Sequence, residues 1–163
     1  MTVYCPILAT LAYIISPDRT EVLLIHRNKR PDDLHFGKYN GLGGKLEPTE
    51  NIIEGVKREI FEEAGIHCEE IALRGTISWP GFGKDGEHWF AFIFRIDKFS
   101  GTPQEGNHEG SLEWVKISEL DKLDLWESDR LWLDKVFSDE PGSFHGIAPF
   151  CDGKLVSWGC TSL

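Results

Sequence analysis

The 163-residue chain carries 17 Lys+Arg against 27 Asp+Glu, a formal net charge of −10, with 40% hydrophobic, 12% aromatic and 27% charged residues. That length suits one domain spanning residues 1–163, and the composition is that of a folded globular protein rather than a disordered one. The acidity argues against a non-specific binder of nucleic-acid polymers, which needs a basic face to displace counterions from phosphates.

In chain order, the first element is a strand over Leu8–Ile15. The apolar run around it, Ile7–Ile15, is too short to span a bilayer and lacks the basic flank and cleavage site of a signal peptide. A second strand covers Val22–His26. A helix follows from about Glu50 to Ala64, with Thr49 as N-cap and Gly65 at the left-handed C′ position, where Ile66 can touch Phe61. Strands are expected at Ile71–Ser78, Trp89–Ile96 and Leu112–Val115 from their β-branched and aromatic content and flanking turn residues. A second helix is expected over Asp129–Phe137, where Leu133, Val136 and Phe137 fall at helical spacing. Ser143–Phe150 and Lys154–Trp158 flank Cys151-Asp152-Gly153 as a hairpin. Strands outnumber the interspersed helices, which predicts an α/β fold with a mixed sheet and helices packed on it. Cys5, Cys68, Cys151 and Cys160 form no CxxC pair, which speaks against a zinc ribbon and for reduced thiols in a cytoplasmic protein.

The first helix carries the chemistry. At 100° per residue, Ile52, Ile53, Val56, Ile60 and Ala64 form a buried stripe, and Glu59, Glu62 and Glu63 cluster along one edge of it. Like charges at i, i+3 and i+4 repel. Such a cluster is either a solvated acidic face, neutralised in part by Arg58, or the oxygen ligand set of a hard cation such as Mg²⁺ or Mn²⁺.

The neighbours narrow the choice. Gly44, five residues, Glu50, seven residues, then Arg58-Glu59-Ile60-Phe61-Glu62-Glu63-Ala64-Gly65-Ile66 resembles the Nudix hydrolase box at every defined position. Average residue frequencies give that pattern by chance about once in 10⁷ chains or less. The resemblance implies an α/β/α sandwich on a central mixed sheet, and Mg²⁺-dependent hydrolysis of a nucleoside diphosphate linked to another moiety. It also implies Glu59, Glu62, Glu63 and the Gly43 carbonyl as metal ligands, and Arg58 orienting the glutamates with Glu50 as partner. Glu62, or an acid outside the box, would help deprotonate the attacking water. Divalent ions suit this chemistry because they offset the repulsion between carboxylates and a phosphate chain.

Outside the box, Gly37-Lys38-Tyr39-Asn40-Gly41-Leu42-Gly43-Gly44-Lys45 resembles the approach to the box in MutT-type enzymes that sanitise oxidised purine nucleoside triphosphates, the 8-oxo-dGTP diphosphatases. Asn107-His108-Glu109-Gly110 resembles the loop that supplies a further catalytic and metal-ligating acid there, matched by Glu109. Leu125-Trp126-Glu127-Ser128-Asp129 resembles the segment that contacts the base. That likeness implies Asn40 and Asp129 at the purine's polar edge, Trp126 on its ring, Thr10 near the base and Arg27 near the phosphates. Leu42, Gly44 and Lys45 join them as substrate contacts. The chain departs from the animal members of the branch, where two adjacent aspartates stand in place of Ser128-Asp129. A narrower base tolerance is the expected consequence, with 8-oxo-guanine preferred over 2-oxo-adenine.

Other motifs are weaker. Gly81-Phe82-Gly83-Lys84-Asp85-Gly86 fits G-x-G-x-x-G but runs into a strand rather than a helix, so it reads as a hairpin turn. Trp126 could equally be core, Asn40 could bridge the Gly-rich turn, and Glu109 could be plain solvated charge. Two other functions compete: hydrolysis of ADP-ribose or a similar nucleoside diphosphate derivative, for which Pro80 downstream of the box is suggestive, and a catalytically silent nucleotide-binding module. A small nucleotide is the expected partner, with no membrane. The oligomeric state, monomer or homodimer, is left open.

Overall fold

The computed structural model describes residues 3–163. In chain order its elements are β1 (Ile7–Ile15), β2 (Glu21–His26), β3 (Tyr39–Asn40), α1 (Ile52–Ala64), β4 (His67–Trp79), β5 (Trp89–Ser100), β6 (Ser111–Lys116), α2 (Leu133–Phe137), β7 (Phe144–Ile147), β8 (Phe150–Cys151), β9 (Lys154–Leu155) and β10 (Gly159–Ser162). One mixed sheet runs β10-β7-β4-β5-β1-β2-β3, with β6 also on β2. The β1–β5 and β4–β7 pairs are parallel and the others antiparallel.

Helices cover both faces of this sheet, as the sequence implied. Strand β1 sends Ala9, Tyr13 and Ile15 into a core shared with Trp132, Leu133 and Val136, while Ala12 and Ile14 meet Val56, Ile60 and Ala64 of α1. A strand buried on both faces has no polar side, which is why Ile7–Ile15 reads as a continuous apolar run.

The sheet divides where β1 meets β2, and the division makes room for a site. The two strands pair only at Ile14–Leu23 and Ile15–Val22. Beyond that point β2 pairs with β3 through Ile25–Asn40 and His26–Tyr39. The chain then crosses to β1, where Leu42 and Lys45 bridge Ala12 and Ala9. The Thr10 N–H donates to the Gly44 carbonyl at 2.9 Å, which fixes the Gly-rich segment on the free edge of β1.

Helix α1 begins at Ile52, not Glu50, and its N-cap is Asn51 rather than Thr49. Asn51 Oδ1 accepts the N–H groups of Ile53 and Glu54, and Glu54 Oε2 accepts the Asn51 N–H. This capping box satisfies donors that a threonine two residues earlier cannot reach. Gly65 ends the helix at φ 72°, as expected. Ile53 is exposed rather than part of the buried stripe, and Gly55 takes a buried position instead.

The expected helix over Asp129–Phe137 is a 3₁₀ turn at Asp129–Leu131 followed by the short α2, broken at Trp132. Trp132 is fully buried among Tyr13, Trp79 and Phe144, and seating that indole together with Asp129 on the core side leaves the regular helical path. Arg74 and Arg95 both donate to the Ser138 carbonyl beyond α2.

The expected C-terminal hairpin is also rearranged. Asp152 and Gly153, both at positive φ, close only the tiny β8–β9 hairpin, while β7 pairs with β10. The Gly81–Gly86 stretch lies in the turn between antiparallel β4 and β5, as read from the sequence. Among the described residues no helix is long and apolar enough to cross a membrane, and all four cysteines are free thiols.

Candidate active site

A cavity of about 280 Å³ opens at the division between β1 and β2. Ala9, Thr10 and Leu11 of β1 line it, with Asn40, Gly41, Gly43, Gly44 and Lys45 from the Gly-rich segment. Arg27 and His35 come from the loop after β2, Glu109 from the loop before β6, and Trp126, Ser128 and Asp129 from the segment before α2. Trp79, Phe82 and Trp89 complete the walls.

One end is acidic. Arg58 is its hub: Nη2 and Nε hold the two Glu50 oxygens at 2.6 and 2.9 Å. Nη1 reaches Glu59 at 2.8 Å and Glu62 at 3.3 Å, and Nη2 also donates to the Lys45 carbonyl at 3.2 Å. Because Glu50 lies ahead of the helix, its carboxylate is free to turn back onto the guanidinium. That guanidinium, with the Glu47 N–H, holds Glu50 down to about 2. Such fork-to-carboxylate pairing fixes geometry as well as charge.

Glu59 and Glu63 show the opposite shift. Burial raises Glu59 despite Arg58. Burial, then the nearby charges of Glu109 and Glu59, push Glu63 up to about 8, against the Gly43 N–H that donates to it at 2.9 Å. Glu62 is mostly exposed, with 58% of its side-chain surface accessible.

Two glycines make this packing possible. A Cβ on Gly44 would stand 2.6 Å from the Glu59 carboxylate, and one on Gly43, at φ 151°, would run into the Thr10 carbonyl. Glu109 enters from the other side and pairs with Arg27 at 2.7 Å, while Arg27 also pairs with Asp33.

Among the described residues no three acidic, histidine or cysteine side chains converge as a formed metal centre. Glu59 is turned toward Arg58 and Glu63 toward Gly43. The donor set still fits a hard divalent cation. It is oxygen-only, and two of its carboxylates are held above their ordinary proton affinity by burial and mutual repulsion, a cost that a dipositive ion relieves.

The other end is aromatic. Asp129 is buried, and burial pushes it up to about 7, against the Ser128 hydroxyl and the charges of Arg130 and Lys38. Its carboxyl is therefore a hydrogen-bond donor below neutral pH. Thr10 Oγ1 is buried with no hydrogen-bond partner in the protein, among the described residues. Trp126 meets Phe82 edge-on at 4.9 Å, with the Lys38 ammonium over its ring.

Thr10, Arg27, Asn40, Gly43, Gly44, Lys45, Glu109, Trp126 and Asp129, all expected site residues, thus share one cavity, with Glu59 and Glu63 against its Gly43–Gly44 end. Leu42 does not face it. Its side chain is fully buried in the core with Val56 and Ile60, and only its backbone, bonded to Ala12, belongs to the cradle. Arg58 and Glu62 stand on the helix outside the lining. Pro80 is also outside the lining, its carbonyl accepting the Phe150 N–H at 2.8 Å.

Residues not foreseen are His35 and Asp33, and the walls Trp79, Phe82 and Trp89. The Pro31-Asp32-Asp33 cluster marks a loop in the sequence, but nothing in a loop's composition says which side chain turns inward.

The model of the NUDIX domain family matches residues 6–136. A mouse protein named oxidized purine nucleoside triphosphate hydrolase is 34% identical over 149 residues, 91% of this chain and 90% of its own. A zebrafish protein of the same name is 32% identical over 126 residues, 77% of this chain and 76% of its own. The crystal structure of a mutator MutT protein from Bacillus halodurans superposes with a TM-score of 0.80 at 30% identity, covering 94% of this chain and 97% of that one.

Proposed function

The chain belongs to the Nudix hydrolase family, and on that premise we propose that it hydrolyses oxidised purine nucleoside triphosphates such as 8-oxo-dGTP to the monophosphate and pyrophosphate, with Mg²⁺ or Mn²⁺. The observation that carries this reading is one continuous cavity with two chemically distinct ends. Aromatic walls and a protonated carboxyl suit a purine, and arginine, lysine and flanking glutamates suit a phosphate chain.

At the base end, Trp126 packs on the purine ring, the neutral Asp129 carboxyl donates to a base acceptor, and Thr10 and Asn40 satisfy the remaining polar edge. Lys45 and Arg27 stand where the phosphates pass between the base and the helix. Glu59, Glu62, Glu63, Glu109 and the Gly43 carbonyl would hold the divalent ion, which when bound offsets the phosphate charge and acidifies a water. Arg58 keeps the glutamates aimed, and Glu62 or Glu109 accepts the proton of the attacking water. Water adds to the α or the β phosphorus and the P–O bond from that phosphorus to the α–β bridging oxygen breaks, so one P–O bond forms, one breaks, and monophosphate and pyrophosphate result.

Initial rates over a nucleotide panel that includes ADP-ribose, with Mg²⁺ and a coupled pyrophosphatase, test the reading. Highest kcat/KM on an oxidised purine triphosphate, abolished by a chelator and by a folded Glu62→Gln variant, supports it. Highest kcat/KM on ADP-ribose or undiminished turnover by Glu62→Gln refutes it.

A further inference from the structure

His35 sits on the cavity wall in a loop that none of the roles above uses. Its Nδ1 lies 2.9 Å from the Trp126 indole Nε1. The indole N–H can only donate, so Nδ1 accepts. Burial, and next the charge of Arg27, drop His35 to about 4, so the ring is neutral and its proton lies on Nε2. Nε2 bonds to no protein group among the described residues.

The loop is itself held. Asp33 accepts the His35 backbone N–H at 3.1 Å and pairs with Arg27, the partner of Glu109. The imidazole also meets Phe82 at 5.7 Å and Trp126 edge-on at 5.5 Å. It is packed and singly oriented rather than a free surface histidine.

We propose that His35 is a positioning and specificity-determining residue: Nδ1 locks the Trp126 indole in the orientation that receives the base, and Nε2–H is a fixed donor offered to an acceptor on the bound ligand. An indole without this bond can turn about its side-chain torsion and leaves a polar N–H unpaired against aromatic walls, so a defined stacking face depends on the acceptor. The donor half rests on the nucleotide reading above; the Trp126 lock does not.

Two measurements on the full chain separate the halves. The Trp126 indole N–H resonance is identified by its loss in Trp126→Phe. In His35→Phe it should move upfield and exchange faster with solvent, and in His35→Gln, whose amide both accepts and donates, it should return toward the wild-type position. KM for the purine triphosphate should rise about tenfold in His35→Phe with kcat nearly unchanged, recover in His35→Gln, and rise again, by a smaller factor, when His35→Phe is added to Trp126→Phe, where the lock is already gone and only the donor is left to lose. If His35→Phe does not fold, His35→Asn, whose shorter amide reaches one partner at most, takes its place. An unmoved indole resonance overturns the lock. A moved resonance with wild-type KM overturns the donor. A wild-type protein inert toward every purine triphosphate overturns the nucleotide reading and the donor with it, while the resonance still decides the lock.

Discussion

Replacing Asp129 with asparagine tests the chemical state of the base end without changing its shape. Asp129 lies in a buried position that raises its carboxyl from 3.8 to about 7. The folded state therefore holds this proton more tightly than the unfolded chain does. Between about pH 4 and 7 the unfolded chain has lost the proton and the folded chain keeps it, so stability falls as pH rises through that window and levels off above it. At about 1.4 kcal/mol per unit, the wild type should lose roughly 2–3 kcal/mol between pH 5 and pH 8 from this group alone. The amide of Asp129→Asn does not titrate, so the stability advantage of the variant should grow by that amount over the same interval. Urea denaturation of both proteins at the two pH values measures the double difference, in which other titrating groups cancel. A difference between the proteins that stays constant with pH within about 0.5 kcal/mol would mean that Asp129 is already ionised in the fold at pH 5. The donor assigned to base recognition would then be lost. The binding corollary has the same sign: wild-type affinity for the purine weakens above pH 7, and Asp129→Asn is flat across that range.

Gly44→Ala should lower kcat at least about tenfold while leaving the thermal midpoint nearly in place, because the new methyl displaces only the Glu59 carboxylate; kinetics beside a melting curve check this. Gly43→Ala strikes the Thr10 carbonyl at positive φ and should instead cost stability, about 2 kcal/mol or more by denaturant titration. Arg58→Lys keeps the charge but gives up the fork on Glu50 and the reach to Glu59, so turnover should fall about a hundredfold or more with the fold intact, as kcat and circular dichroism together would show. Because the base end carries the single carboxyl of Asp129 beside the Ser128 hydroxyl, 8-oxo-dGTP should be hydrolysed with a higher kcat/KM than 2-oxo-dATP, and equal values would refute the single-carboxyl argument.

How much of this could be read from the chain varied with how local the determinant is. The acidic end is local. Gly44, Glu50, Arg58 and the three glutamates lie within 20 residues of one helix and its approach, so the pattern that carries the resemblance is contained in one short stretch, and the pairing of Arg58 with Glu50 that it implied is present in the fold. The strands were legible for the same reason, since apolar pattern is a near-neighbour property. Failures came where a distant contact decides local form. Trp132 breaks the expected helix where it is buried against Tyr13, edge-on, and Phe144, stacked, partners from β1 and β7 outside the helix. Leu42 matched a substrate-contact pattern by position, yet its side chain falls under α1, because bridging to Ala12 of β1 alternates the faces of the Gly-rich segment.

At the base end the resemblance implied Thr10, Asn40, Trp126 and Asp129, which do line the cavity, but the walls His35, Trp79, Phe82 and Trp89 were not legible in the sequence, and the construction explains why. The cavity walls come from seven separate stretches that meet where β1 and β2 part after Leu23, letting the 41–45 segment replace β2 on the β1 edge. That exchange of partners leaves Thr10 Oγ1 unsatisfied inside the sheet and brings Arg27, His35 and Glu109 together from two loops. The cavity is thus a consequence of the sheet's division, and its two ends have separate tolerances. Base-end residues on loops can change without disturbing α1, whereas Glu50, Glu59 and Glu62 at the acidic end are tied together through Arg58. Substitutions at Trp126 or His35 should accordingly move KM and base preference, and substitutions at Glu59, Glu62 or Arg58 should move kcat on every substrate alike. A variant panel read as KM against kcat across three bases decides this: a Trp126 substitution that lowers kcat uniformly, with KM and preference intact, would show that the two ends are not separable.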